Sequence, residues 1–220
     1  LNASQHVNSA AISGAGIMQL TAGGNKLFRT GGLSFAGAGT FDLANGSLII
    51  DYAVGSPLAS LQAALATGYA AGAWNGTGLN SSTAAGTPIA DAIGFAEASA
   101  VLNPPLLFAG ESVDSTTVIA RYTLGGDANL SGDVNLDDFT RLAANFGLGT
   151  TWAHGDFDYD AAVDLNDFTT LAANFGQAAP AALARASAPP HLNASASALP
   201  SSPFGSTRID EERLVNEVLT

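Results

Sequence analysis

The stretch "DANLSGDVNLDD" at residues 127–138 is followed 29 residues later by a second copy of its pattern, "DFDYDAAVDLND", at residues 156–167. Each copy runs into nearly the same continuation, "FTRLAANFG" in the first and "FTTLAANFG" in the second. Nine of the 19 acidic residues of the chain lie between Asp127 and Asp167. Because the rest of the chain is poor in charge, this repeat carries most of the information about fold and function.

Oxygen-bearing side chains recur in both copies at positions 1, 3, 5, 9 and 12, the spacing of an EF-hand calcium loop. Ca²⁺ takes roughly six to eight oxygen ligands at about 2.3–2.6 Å, so its ligands must alternate along a tightly wrapped loop. Position 7 contributes its backbone carbonyl. The sequence therefore predicts two Ca²⁺ sites. Their predicted ligands are Asp127, Asn129, Ser131, Asp133, Asn135 and Asp138 in the first loop, and Asp156, Asp158, Asp160, Ala162, Asp164 and Asp167 in the second.

The two copies differ at position 6 and in their charge. Position 6 requires a sharp turn with positive φ, which suits Gly132, whereas Ala161 costs roughly 1 kcal/mol there. The second loop has five carboxylates at side-chain ligand positions and the first has two, Asp127 and Asp138. More carboxylates attract Ca²⁺ more strongly and repel one another more without it. We therefore expect the second loop to depend more on metal for its order.

Each loop is predicted to run into an amphipathic helix that ends at a C′ glycine, Gly147 or Gly176. The two apolar stripes are expected to pack against each other, and Val134 and Val163 at position 8 are expected to pair the two loops through a short β-bridge. The segment before the first loop, residues 118–126, reads as a strand. The stripes consist of Phe139, Leu142, Ala143 and Phe146 in the first copy and Phe168, Leu171, Ala172 and Phe175 in the second.

Two loop–helix motifs of just over twenty residues, Asp at position 12 and the absence of an entering helix together resemble a type I dockerin. The resemblance covers about residues 125–177. It implies a module of a secreted or cell-surface bacterial protein that binds a cohesin-like or other cell-surface protein. It also implies that positions 10 and 11 of each loop read the partner. Here these are Leu136–Asp137 and Leu165–Asn166, not the small hydroxyl pair typical of cellulosomal dockerins.

The N-terminal part alternates short apolar segments with Gly- and Asn-rich turns at roughly eight-residue intervals, which is typical of a β-solenoid, a sandwich or a barrel. We favour the solenoid because the strands are very short. One helix is predicted after Ser56, with Ser56 as N-cap, Pro57 at the first helical position and Gly68 as the stop. These Gly/Asn-rich repeats resemble the C-terminal parts of large secreted bacterial passenger-type proteins.

The predicted fold class is therefore a mainly β, solenoid-like part over residues 1–124, with one helix, joined to a small all-α, EF-hand-like loop–helix domain over residues 125–177. Residues 178–220 are rich in Ala, Pro and Ser and are predicted to form a flexible tail with a short terminal helix.

Composition narrows the function classes further. A formal net charge of −12 argues against nucleic acid as a partner, because phosphates would be repelled. The absence of cysteine excludes disulfides and thiolate metal ligands. No apolar run approaches the roughly 18–20 residues of a membrane span. The first residue, Leu1, indicates a fragment or a processed chain.

Two function hypotheses follow. The first is a calcium-binding, non-catalytic interaction or anchoring module of a secreted or cell-surface protein. The second is the C-terminal fragment of a carbohydrate-active β-solenoid enzyme whose catalytic part lies upstream, with association to polysaccharide. Acidic residues outside the repeat are scattered without the spacing of a catalytic carboxylate pair, so the first hypothesis predicts no catalytic residues in this chain.

Overall fold

Regularly spaced turn residues divide the N-terminal half into short strands. The computed structural model describes residues 1–23, 26–87 and 90–179. The strands are β1 (Gln5–Val7), β2 (Ala10–Ile12), β3 (Ile17–Gln19), β4 (Leu27–Thr30), β5 (Leu33–Phe35), β6 (Thr40–Asp42), β7 (Ser47–Asp51), β8 (Gly78–Asn80), β9 (Asp91–Glu97), β10 (Leu107–Phe108), β11 (Glu111–Ser112) and β12 (Thr117–Leu124). The helices are α1 (Leu58–Tyr69), α2 (Ala98–Val101), α3 (Leu136–Asn145) and α4 (Leu165–Asn174).

The first six strands pair in parallel at a constant offset. Strand β1 pairs with β4, β2 with β5 and β3 with β6, and each pair joins residues that are 23 apart in the chain, as in Gln5 with Phe28. Strand β7 then adds to the β1–β4 pair, and β8 adds to the β3–β6 pair, again in parallel. Between them the chain forms helix α1. The middle sheet, β2–β5, therefore keeps two strands.

The largest sheet has the order β1-β4-β7-β12-β9 and joins the two halves of the chain. Strand β12 runs antiparallel to both β7 and β9. All eight residues of β12 are buried, so this strand is the centre of the core. It ends at Leu124, three residues before the first repeat, and this directly places the repeat beside the sheet.

Helix α1 shows why a glycine does not always end a helix. The hydroxyl of Ser56 accepts a hydrogen bond from the amide of Leu58 (3.1 Å). The predicted start is nevertheless one residue too early, because α1 begins at Leu58 and Pro57 is the N-cap residue. The predicted stop at Gly68 is wrong, since α1 continues to Tyr69. A Cβ on Gly68 would lie 1.9 Å from the carbonyl oxygen of Leu79. This glycine is required because α1 packs directly on the backbone of β8.

The duplicated repeat packs on β9 through an aromatic side chain between its two copies. Trp152 is fully buried, and a Cβ on Gly94 of β9 would lie 2.7 Å from its Nε1 and 2.3 Å from Cδ2 of Leu130. The hydroxyl of Tyr159 donates to the carbonyl of Ile93 (2.9 Å) and accepts from the amide of the same residue (3.1 Å). Both loops therefore pack against β9 and share the core of the sheet.

The predicted fold class is consequently wrong. The described residues form one mixed α/β unit, and no all-α domain is evident among them. The physical reason is the small size of the helix pair: α3 and α4 have ten residues each and bury few apolar side chains, chiefly Leu142 and Leu171. Too little apolar area is removed from water there to support a separate core.

The predicted packing of the two apolar stripes is also wrong in part. The rings of Phe139 and Phe168 touch with centroids 6.5 Å apart, but both residues are exposed, as are Phe146 and Phe175. Of the predicted tail, residues 180–220 lie outside the described residues. Within the described ranges, no helix combines the length and the apolarity needed to cross a bilayer.

Replacing Gly94 with Ala should destabilise the protein by about 1–3 kcal/mol, because the new methyl group must displace Trp152 and Leu130 from a packed core. Chemical denaturation followed by tryptophan fluorescence measures this. Gly32→Ala is the matched control, since nothing lies within 4 Å of its Cβ position, and it should stay within about 0.5 kcal/mol of the wild type. Equal stability of the two variants would contradict the packing described.

Candidate metal centre

The backbone of each repeat wraps into a tight loop with two residues in the left-handed region. Position 4 has φ of 59° at Leu130 and 61° at Tyr159, and position 6 has φ of 95° at Gly132 and 66° at Ala161. The prediction of a positive φ at position 6 is confirmed in both copies. The side chain at position 4 is buried in both copies, so this wrapping places one large side chain of each loop in the core.

Each loop ends in a capping box that starts the following helix. The side chain of Asn135 accepts from the amide of Asp137 (2.7 Å), and Asp138 Oδ2 accepts from the amide of Asn135 (2.9 Å). Asp164 and Asp167 repeat this arrangement, with 2.8 Å between the Asp164 amide and Asp167 Oδ2. The predicted ligands at positions 9 and 12 therefore also stabilise the helix N-termini.

The loops are held together by a crossed backbone pairing. The amide of Val134 donates to the carbonyl of Gln177 (3.0 Å), and the amide of Gly176 donates to the carbonyl of Val134 (2.8 Å). In the other copy, the amide of Gly147 donates to the carbonyl of Val163 (2.9 Å). The expected bridge between the two valines is thus replaced: each loop pairs with the segment that follows the helix of the other copy.

In the first loop, the buried carboxylate of Asp127 is already surrounded by donors. Its Oδ1 accepts from the amide of Ser131 (2.9 Å), and its Oδ2 accepts from the amide of Gly132 (2.9 Å) and from the hydroxyl of Thr123 on β12. Both oxygens therefore have hydrogen-bond partners within the protein.

The remaining polar groups of the first loop bond to one another. Ser131 Oγ donates to Asp133 Oδ1 (2.6 Å), and Asn135 Nδ2 donates to Asp133 Oδ2 (2.9 Å). Asn129 Oδ1 accepts from the amide of Ser131 (2.9 Å), and the amide of Asn129 donates to Asp138 Oδ1 (3.1 Å). Asp133 is predicted to provide only its backbone carbonyl as a ligand. Its side chain also takes part in the hydrogen-bond network of the first loop.

The second loop brings three carboxylates together. One oxygen from each of Asp156, Asp158 and Asp167 lies within 4.8 Å of the others. Asp156 is 1% exposed, and its buried Oδ1 has no hydrogen-bond partner. Its Oδ2 accepts from the amide of Ala161 (3.1 Å) and from Nε2 of Gln62 (3.2 Å). A buried carboxylate oxygen without a donor is costly unless a cation satisfies it, so these residues fit a metal ion.

The other predicted ligands of the second loop lie at its surface or in the helix cap. Asp160 is exposed, and its Oδ1 accepts from the amide of Ala162 (2.8 Å). Ala162 is exposed as well. Asp164 caps α4 by accepting from the amide of Asn166 (2.7 Å). The candidate second centre therefore consists of a triad at positions 1, 3 and 12, in which Asp156 and Asp167 are buried and Asp158 is half-buried.

Burial makes these carboxylates resist ionisation. It raises the pKa of Asp127 and Asp156 to about 7, and that of Asp138 and Asp158 to about 6. For Asp156, the nearby carboxylates of Asp167 and Asp158 raise the pKa further. Burial also raises the pKa of Asp167. Both loops thus concentrate negative charge that the protein itself offsets only in part.

Sequence reasoning missed the residues that connect the loops to the rest of the protein. Gln62 of α1 has no local signature that links it to Asp156. Trp152 stacks on Tyr159 (5.6 Å between ring centroids) and donates from Nε1 to the carbonyl of Asp127 (2.7 Å). One signal was present: both polar loops carry a large apolar residue at position 4.

Comparison with known proteins finds no matching family model, no matching curated protein and no matching solved structure. The assignment of this centre therefore depends on its geometry and donor chemistry.

Exchanging the residues at position 6 should change stability in opposite directions in the two loops. Ala161→Gly should stabilise the protein by about 1 kcal/mol, because it relieves a left-handed alanine, and Gly132→Ala should destabilise it by about the same amount. Chemical denaturation at one fixed free Ca²⁺ concentration measures both. A loss of stability in Ala161→Gly would contradict the backbone geometry of the second loop.

In excess chelator, stability should increase as the pH is lowered from about 8 to about 5. The folded state holds protons on carboxyl groups whose pKa values are raised from 3.8 to about 6–7, so the unfolded state binds fewer protons across this range. The destabilising effect is complete above the folded pKa and is lost as the pH falls through it. Thermal midpoints measured at successive pH values provide the check.

The double variant Asp127→Asn/Asp156→Asn removes the two groups with the highest of these pKa values and should flatten that pH dependence. A wild-type thermal midpoint that falls as the pH is lowered from about 8 to about 5 would contradict the raised pKa values.

Proposed function

We propose that this chain binds Ca²⁺ in its two duplicated loops and acts as a non-catalytic interaction or anchoring module of a secreted or cell-surface protein. The observation that carries the proposal is the buried, unpartnered Oδ1 of Asp156 beside the carboxylates of Asp158 and Asp167. A hydrogen-bonded acidic surface would not bury such an atom.

The donor set supports Ca²⁺ over other metals. Every predicted ligand in the two loops offers oxygen, and the chain has no cysteine. Hard oxygen donors suit Ca²⁺ and Mg²⁺ rather than Zn²⁺ or copper. Mg²⁺ demands near-ideal octahedral geometry and keeps several waters. Loops that supply many side-chain and carbonyl oxygens are therefore better matched to Ca²⁺.

The capping residues at the start of α3 and α4 connect metal binding to the order of these helices. Asp138 and Asp167 both hold the capping boxes of α3 and α4 and belong to the predicted ligand sets. When bound, the cation supplies the positive charge that the buried carboxylates lack. Asp156 and Asp167 can then keep their ionised form in the core. The cap and the metal centre thus share one carboxylate in each copy.

An exposed apolar surface on α3 and α4 supports the interaction role. Leu136 and Leu165, at position 10 of the two loops, are 65% and 68% exposed. Contiguous exposed apolar residues on a protein surface commonly mark an interaction site. We infer that a cohesin-like or other cell-surface protein binds this face. The exposed large apolar residues of these helices and of the segments that directly follow them are Leu136, Phe139, Phe146, Leu148, Leu165, Phe168 and Phe175.

Titration calorimetry should detect two Ca²⁺ per chain, and Ca²⁺ should raise the free energy of unfolding. At a free concentration of 100 times the Kd, each site adds about 2.7 kcal/mol. The double variant Asp156→Asn/Asp158→Asn should bind one ion instead of two. Mg²⁺ at the same concentration should raise the thermal midpoint less.

Asp137→Asn is the matched control, because Asp137 is exposed and holds position 11, outside the ligand set. It should keep two ions and the wild-type affinity. Identical thermal midpoints in Ca²⁺ and in chelator for the wild type, without a heat of binding, would overturn the proposed function.

A further inference from the structure

Helix α1 contributes a side chain directly to the second metal centre. Nε2 of Gln62 donates to Asp156 Oδ2 (3.2 Å) and to the carbonyl of Thr150 (2.5 Å). Gln62 precedes Asp156 by 94 residues in the chain, and its side chain is half-buried. A polar group from a distant element therefore reaches the carboxylate of Asp156, whose buried Oδ1 lacks a hydrogen-bond partner.

We propose that Gln62 is a positioning residue of the second centre, and that cation binding there is coupled to the order of α1 and β9. The inference rests on the proposed function and names a means by which the β-rich part regulates the second site.

The hydrogen bonds of Asp156 explain how the positioning works. Gln62 Nε2 and the amide of Ala161 both donate to Oδ2, which fixes the carboxylate plane and leaves Oδ1 without a donor. Groups that hydrogen-bond to metal ligands fix their orientation, and losing one typically weakens metal binding about 10- to 100-fold. Gln62 thus prepares one oxygen of Asp156 for the cation.

In the first loop, the long-range donor Trp152 bonds to the backbone carbonyl of Asp127 and not to its carboxylate. The donor from outside the loop that is described for this carboxylate is Thr123, which lies on β12 only four residues earlier. Any effect of α1 on metal binding should therefore be specific to the second centre. This difference separates positioning by Gln62 from a general loss of stability.

A second contact attaches the same loop to the same elements. Tyr159, at position 4, bonds to the backbone of Ile93 on β9, and its ring lies 5.0 Å from that of Tyr69 on α1. Position 1 is thus fixed to α1 through Gln62, and position 4 is fixed to α1 and β9 through Tyr159. Ordering of the loop by a cation must therefore also restrict α1 and β9.

Thermodynamic linkage makes this coupling reciprocal. If Gln62 increases the affinity of the second site by a given factor, cation binding must stabilise the Gln62 contact by the same factor. The coupling can consequently be measured from either end, by binding of Ca²⁺ or by amide exchange in α1.

The test uses the full chain and the variant Gln62→Met, which keeps the length of the side chain but removes the donor. Calorimetry should show that one of two Ca²⁺ sites is weakened about tenfold while the other is unchanged. Gln5→Met is the matched control, because Gln5 is also half-buried and its side-chain amide donates to the nearby carbonyl of Ala3 (3.3 Å), outside the metal loops. It should bind both ions as the wild type does.

Hydrogen exchange on the wild type provides an independent measurement that needs no variant. Adding Ca²⁺ should slow amide exchange about tenfold in residues 58–69, and much less in residues 5–7 of β1, which lies at the opposite end of the largest sheet from β9. In Gln62→Met this protection of α1 should be reduced.

The outcomes separate the two proposals. Two wild-type-like affinities in Gln62→Met, together with Ca²⁺-independent exchange in α1, would overturn the coupling and leave calcium binding intact. Equal weakening of both sites would show a general effect on stability and would also overturn it. No binding of Ca²⁺ by the wild type would remove the proposed function itself.

Discussion

The close approach of the Trp152 indole to the backbone of Gly94 is the contact on which the rest of the arrangement depends. It is available only because β9 carries no side chain at that point. The same indole donates to the carbonyl of Asp127, so one residue connects the sheet to the first loop. Because the two helices bury little of their own surface, the loops obtain their core from the sheet. The duplicated repeat is thus an integral part of the β-rich unit.

Burial of carboxylates is the main cost of this arrangement. Positions 1 and 12 of both loops are fully shielded from water, yet the two copies compensate differently. The first loop surrounds Asp127 with its own amides and hydroxyls, whereas the second leaves one oxygen of Asp156 unsatisfied. If both loops had only a structural role, we would expect protein donors to satisfy both oxygens of the carboxylate at position 1 in each copy, as they do for Asp127. This difference supports the proposal that a cation compensates the charge of the second copy.

Local rules predicted the local features well. Positive φ at Gly132 and Ala161, the strand before the first loop and the C′ glycines all follow from residue type and spacing within a few positions. Long-range packing could not be predicted in this way. Nothing near Gly94 indicates that an indole 58 residues later will cover it. An apolar stripe likewise identifies one face of a helix without showing whether that face is buried, and Phe139 is an exposed example.

The crossed pairing also determines how the protein would respond to tension. Ala178 forms an antiparallel bridge with Asp133, and the amide of Ala179 donates to the carbonyl of Gly132 (2.7 Å). A pulling force applied beyond Ala179 is therefore transmitted first to the turn of the first loop, rather than peeling α4 from its C-terminal end. Extension then requires several backbone hydrogen bonds next to the first loop to break. The segment that contains Ala178 and Ala179 therefore resists extension, and its resistance depends on how firmly the first loop is held.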